Sequence, residues 1–164
     1  MKQKQADASI GPERSRFPSI VLEVGDSESF TQLKVDMKLW LAHTHEVGWF
    51  LPLLPFTHPN LFQVKLVILF LIDPPIAANA NTPRITVQLW RGVGPVHPLC
   101  SSTSQQRQAR MIWEADWTHT ATPFYVLLSD IFRDQVPAEY GNNDRVYLDI
   151  ATWRKMVLEN FEKF

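Results

Sequence analysis

Two carboxylates, Asp7 and Glu23, stand sixteen residues apart with a turn-like stretch between them. Glu23 is the residue that demands an explanation. It interrupts SerIleValLeuGluVal (19–24), a run rich in Ile, Val and Leu and bounded by Pro18 and Gly25. Such a run reads as a strand with both faces covered. A carboxylate at the end of a buried strand must be hydrogen-bonded, protonated or bound to a cation. Asp7 opens AspAlaSerIle (7–10), a short extended candidate, and GlyProGluArgSerArg (11–16) reads as a turn. A hairpin would set the two acids face to face. Oxygen ligands in that arrangement suit Mg²⁺, which takes one or two carboxylates and keeps several waters. A plainer reading stands beside it: Glu23 is satisfied by backbone or by a lysine, with no metal.

The elements that must position these acids follow from the pattern. Ser29 with Gln32 three residues on matches a capping box, and Phe30, Leu33, Met37, Trp40 and Leu41 recur at helical spacing, so a helix is expected from about 30 to 43. Around that helix Asp36 lies on one edge of the apolar face, Lys34 on the opposite edge and Lys38 further into solvent. Residues 63–72 and 84–91 read as strands. The second alternates, which predicts one solvated face. From 92 to 108 a loop is expected. Residues 111–117 read as a further strand, 124–133 as a short helix, and 149–164 as a terminal helix with Trp153, Met156, Val157, Asn160 and Phe161 on one side. GlyValGly (92–94) is read as a turn, since it lacks the rest of a nucleotide-binding fingerprint.

Three stretches together resemble a known family: LysGlnAlaAspAlaSerIle (4–10), PheProSerIleValLeuGluValGlyAspSerGluSer (17–29) and LeuLysValAspMetLysLeuTrpLeu (33–41). They look like the restriction-endonuclease-like fold of the PD-(D/E)XK nuclease superfamily. The likeness is to uncharacterised fungal proteins with that domain, related to a large bacterial group classed as restriction endonucleases. It covers residues 4 to about 46, and extends to 64–72. It implies an α/β fold, a mixed sheet flanked by helices, and an ancestral metal-dependent phosphodiester hydrolase. It also implies that Asp7 and Glu23, with the Val24 carbonyl, hold Mg²⁺ or Mn²⁺, which acidifies a bound water and stabilises charge during in-line attack. Asp36 aligns with an aspartate of the bacterial relatives.

The departures are specific. Ala6 stands where the family pattern has proline, and Gly25 stands where it has lysine. The bacterial relatives carry a lysine four residues after the aspartate matching Asp36; here that residue is Trp40. Lys34 is the candidate substitute, with Lys38 beside it. Family domains supply a helix and a strand before the motif aspartate, but only six residues precede Asp7, so the resemblance implies an N-terminally truncated version. Residues 47–63, rich in Leu, Phe, Pro and Trp, read as an insertion. The expected organisation is a core over 1–92, interrupted at 47–63, and a loop plus C-terminal helical extension over 93–164 packed on the same domain.

Composition bounds the rest. With 45% apolar residues and 16 basic against 17 acidic side chains, the chain suits one globular domain and excludes intrinsic disorder. The net charge of −1 provides no strong electrostatic footprint for nucleic acid, so a nucleic-acid partner rests on the resemblance alone. The longest proline-free apolar run, Leu66 to Ile72, falls far short of the roughly 20 residues that span a bilayer, so no membrane association is expected. A single cysteine, Cys100, and the lack of a secretory leader point to an intracellular setting, cytoplasmic or nuclear. A homodimer is expected if missing first elements leave a sheet edge open. His43 and His45 read as helix-end histidines, Glu114, Asp116 and His119 as polar residues of a half-exposed strand, and the six tryptophans as core. The alternative to a nuclease is a non-catalytic scaffold or interaction protein that retains the fold.

Overall fold

A computed structural model describes residues 6–12, 18–26, 30–43, 64–73, 83–93, 108–118, 123–133 and 135–161. The expected insertion at 47–63, the Ser29 cap, His45, Cys100 and His119 lie outside the described residues. The fold is α/β, built on a mixed five-stranded sheet. In chain order the elements are β1 (Ala8–Ile10), β2 (Ile20–Asp26), α1 (Phe30–His43), β3 (Leu66–Asp73), β4 (Arg84–Val93), β5 (Gln108–Asp116), β6 (Phe124–Leu127), α2 (Leu128–Phe132), β7 (Arg145–Leu148) and α3 (Ile150–Phe161).

The main sheet runs β1-β2-β3-β4-β5, with β2 and β3 parallel and every other neighbour antiparallel. A parallel pair needs a long crossover, and α1 lies in the segment that connects β2 to β3. Alternation then divides the apolar residues between two faces. One face packs Val21, Val67 and Leu69 against Met37 and Leu41 of α1. The other packs Ile20, Ile68, Phe70, Val87 and Leu89 against Trp117, Phe124 and Val126. Burying both faces is why β3 reads as an unbroken apolar run and β2 as one broken only at Glu23 before it reaches Gly25.

Three expectations are corrected. The stretch 124–133 is not one helix: Phe124–Leu127 is a strand paired with β7, and only Leu128–Phe132 is helical. Phe124 and Val126 point into the core at a spacing of two, which a helix would not allow. The β4 strand has no freely solvated face, because α1 overlies it and Gln88 is as buried as Leu89. Gly92 and Val93 belong to β4 and are not a turn; they pair with Ala109 and Gln108 of β5. The sheet accordingly continues past residue 92, and the segment beyond it supplies β5, β6 and β7 as well as helix.

The second face is closed by α3. Trp153 packs on Phe70, and Arg154 reaches back to donate from Nε to the Trp117 carbonyl at 2.8 Å and from its guanidinium to the Thr118 carbonyl. Asp149 starts this helix, accepting from the Thr152 amide at 3.1 Å and the Thr152 hydroxyl at 2.7 Å, an N-cap. These bonds hold its carboxyl below the ordinary carboxylate range. A depressed folded pKa contributes stability above the unfolded value of 3.8 that is lost as pH falls through the lower folded value. Asp149→Ala should therefore remove part of the acid dependence of the melting temperature between pH 5 and the acid transition, measurable as a flatter profile than wild type. An unchanged profile would sink that assignment.

Candidate functional site

The acids expected to work together do meet at the β1–β2 hairpin. Pairing of Ala8 with Leu22 and Ile10 with Ile20, carried one residue further, sets Asp7 opposite Glu23. The strand pairing stops there because the Asp7 side chain takes over from the backbone. Its Oδ2 accepts the Val24 amide hydrogen at 2.8 Å, the donor next in line along β2. Asp7 itself is exposed.

Glu23 faces the other way from Leu22 and lies under α1, only 3% exposed. Its Oε1 accepts a hydrogen bond from Trp40 Nε1 at 2.5 Å. Position 40 is where the resemblance raises the expectation of a lysine, and Trp40 is the departure from it. An indole N–H donates as an ammonium does, but it brings no charge.

Asp36, one helical turn before Trp40, is buried and accepts from Gln32 Nε2 at 3.0 Å along the same helix. Lys34 is half-buried, with Nζ 4.0 Å from the centroid of the Phe30 ring, and Lys38 is exposed. The four expected catalytic residues thus divide. Asp7 and Glu23 are cross-strand neighbours, whereas Asp36 bonds within α1 and Lys34 stacks on Phe30.

Sequence reasoning missed a polar row that continues across the sheet. Glu23 pairs with Leu69, Leu69 with Gln88, and Gln88 with Glu114, so the three polar residues share the α1 face. Trp90 Nε1 donates to Gln88 Oε1 at 3.0 Å, and Gln88 Nε2 donates to Glu114 Oε1 at 2.9 Å. Asp116 accepts the Thr118 amide at 2.8 Å and lies 3.6 Å from Arg84. The signal available was the polar alternation of β4, which looks the same whether a face meets water or a helix.

A hard divalent cation needs oxygen lone pairs and room for the waters it keeps. Asp7 Oδ2 and Glu23 Oε1 each already face a donor hydrogen, and Glu23 is sealed from solvent. Among the described residues no three His, Cys, Asp or Glu side chains gather at a distance that holds a metal. The amide of Val24 bonds to Asp7, and its carbonyl would add one ligand at most. The residues as arranged do not fit a Mg²⁺ or Mn²⁺ site; they fit carboxylates used as acceptors. Among the described residues no helix is long and apolar enough to cross a membrane. No protein-family profile, no curated protein and no solved structure matches this chain.

Proposed function

We propose that this chain is a degenerate restriction-endonuclease-like domain, descended from a metal-dependent phosphodiester hydrolase, whose present role is that of a non-catalytic scaffold or interaction protein. The bond from Trp40 to Glu23 carries the reading. Cleaving a phosphodiester requires positive charge or a proton beside the developing oxyanion. An indole delivers neither at neutral pH; it supplies one neutral donor and buries the carboxylate. The mixed sheet, with α1 in the crossover from β2 to β3, supports the ancestry, since the resemblance implies a mixed sheet flanked by helices. The net charge of −1 supports the loss of nuclease function, because a duplex backbone is engaged by clustered Lys and Arg.

A second reading, a nuclease still active with Mg²⁺ or Mn²⁺, is favoured by the side-by-side placement of Asp7 and Glu23. A plasmid-nicking assay separates the two. With either ion present, wild type, Asp7→Ala and Glu23→Ala are all expected to leave supercoiled plasmid intact. Nicking by wild type that both variants lose would establish the nuclease instead.

A further inference from the structure

The two-stranded sheet carries a constellation on the face turned away from the core. Phe124 and Val126 of β6 are buried, and Tyr125 between them is 39% exposed. Tyr125 lies directly opposite Tyr147 of β7, which is 63% exposed. Their ring centroids are 5.8 Å apart, with the planes inclined at 57°. Arg145, two residues before Tyr147 and so on the same face, lays its guanidinium 4.4 Å from the Tyr125 ring centroid. Its interaction with Tyr147 on the same face is the main reason its pKa is held above the ordinary value. Two rings and a cation are thus pre-assembled in solvent on paired strands, with few rotamers left to lose on binding.

We propose that this outer face of β6 and β7 binds unpaired bases of a single-stranded nucleic acid, Tyr125 and Tyr147 stacking on the bases and Arg145 pairing with a phosphate. The chemistry selects the ligand. A proline-rich segment would use the rings and ignore the guanidinium, and an acidic peptide would do the reverse. A nucleotide presents a flat π face joined to an anion, and uses both. Aromatic residues on neighbouring strands of an open sheet face stack bases that have left a duplex. Double-stranded nucleic acid is disfavoured on two grounds. Its bases are already stacked on one another, and Asp144 and Asp149, which bracket β7 in sequence, oppose a dense array of phosphates. The proposal stands on this sheet face alone and is independent of whether Asp7 and Glu23 retain any chemistry.

The test is fluorescence anisotropy of labelled oligo(dT), oligo(U) and a duplex of equal length, titrated with the full chain. Both single strands are expected to bind and the duplex to bind far more weakly. Tyr125→Leu and Tyr147→Leu should each weaken binding on the order of tenfold, while Tyr125→Phe and Tyr147→Phe keep it. One neutralised phosphate gives a log–log salt slope of about −0.7, which Arg145→Gln should bring close to zero. Absence of saturable binding, a preference for duplex, or leucine variants that bind like wild type would each overturn the proposal. Should the leucine variants lose their fold, the salt slope decides: an Arg145→Gln protein with the wild-type slope also overturns it.

Discussion

Replacing Trp117 with alanine is expected to cost about 3–5 kcal/mol, the range for removing a large buried aromatic. Trp117 is fully buried and central to the face opposite α1. Its ring meets Phe70 edge-on at 5.4 Å, Trp113 at 6.1 Å and Phe124 at 6.4 Å, so one truncation opens a cavity against three strands. Its main chain is equally committed, donating to the Ile85 carbonyl at 2.7 Å and accepting from Arg154. A domain of this size holds only about 5–15 kcal/mol in total, so the variant should be largely unfolded or melt far below wild type. Trp117→Phe should cost much less than alanine. It keeps most of the ring volume and deletes an indole nitrogen that is buried without a hydrogen-bond partner among the described residues. Urea midpoints followed by circular dichroism test both, with exposed Tyr140→Ala as a control expected within about 0.5 kcal/mol of wild type. A Trp117→Ala midpoint equal to wild type would show that this cluster does not close the core.

What the sequence disclosed depended on whether a signal was local. The helix at 30–43 was legible in full because its apolar residues repeat at the helical spacing, and the β2 run announced itself through Ile20, Val21 and Leu22. The approach of Asp7 to Glu23 was legible for the same reason, since a hairpin is a short-range structure. The misreadings are all cases where a distant partner decides. Phe124, Val126, Leu127, Leu128 and Ile131 satisfy a helical pattern loosely, and it is pairing with β7 that makes the first three of those residues part of a strand. Gln88 looks solvated until α1 is laid over it, and its partners Trp90 and Glu114 come from its own strand and from β5. Nor could spacing alone say that Trp40, seventeen residues from Glu23, would be its donor. That bond depends on how α1 crosses β2, a matter of tertiary packing.

Trp40→Phe is expected to destabilise the protein by about 1–3 kcal/mol, the cost of withdrawing a hydrogen-bond donor from a buried acceptor. It keeps an aromatic ring against Met37 and Leu41 while withdrawing the donor from a carboxylate that is 3% exposed. Glu23→Leu in the Trp40→Phe background should then recover most of that loss, because the buried acceptor leaves with its donor. The four proteins form a cycle, and a coupling energy near zero would mean that the bond does not hold Glu23. The same variants address the metal. Wild type is expected to show no thermal shift with Mg²⁺ or Mn²⁺ beyond that of matched ionic strength, whereas an ion bound at 100 times its Kd would add about 2.7 kcal/mol. If Trp40→Phe gains a Mg²⁺-dependent shift that Asp7→Ala abolishes, the ligand set survives and the indole alone closes it. If neither protein responds, the arrangement of Asp7 and Glu23 does not hold the ion, and placing a lysine at position 40 would not create the chemistry. No metal response at Asp7 and Glu23 in either protein is the expected result. Both acids are already satisfied by fixed N–H groups, and removing the indole still leaves the Val24 amide on Asp7 and the surrounding core over Glu23.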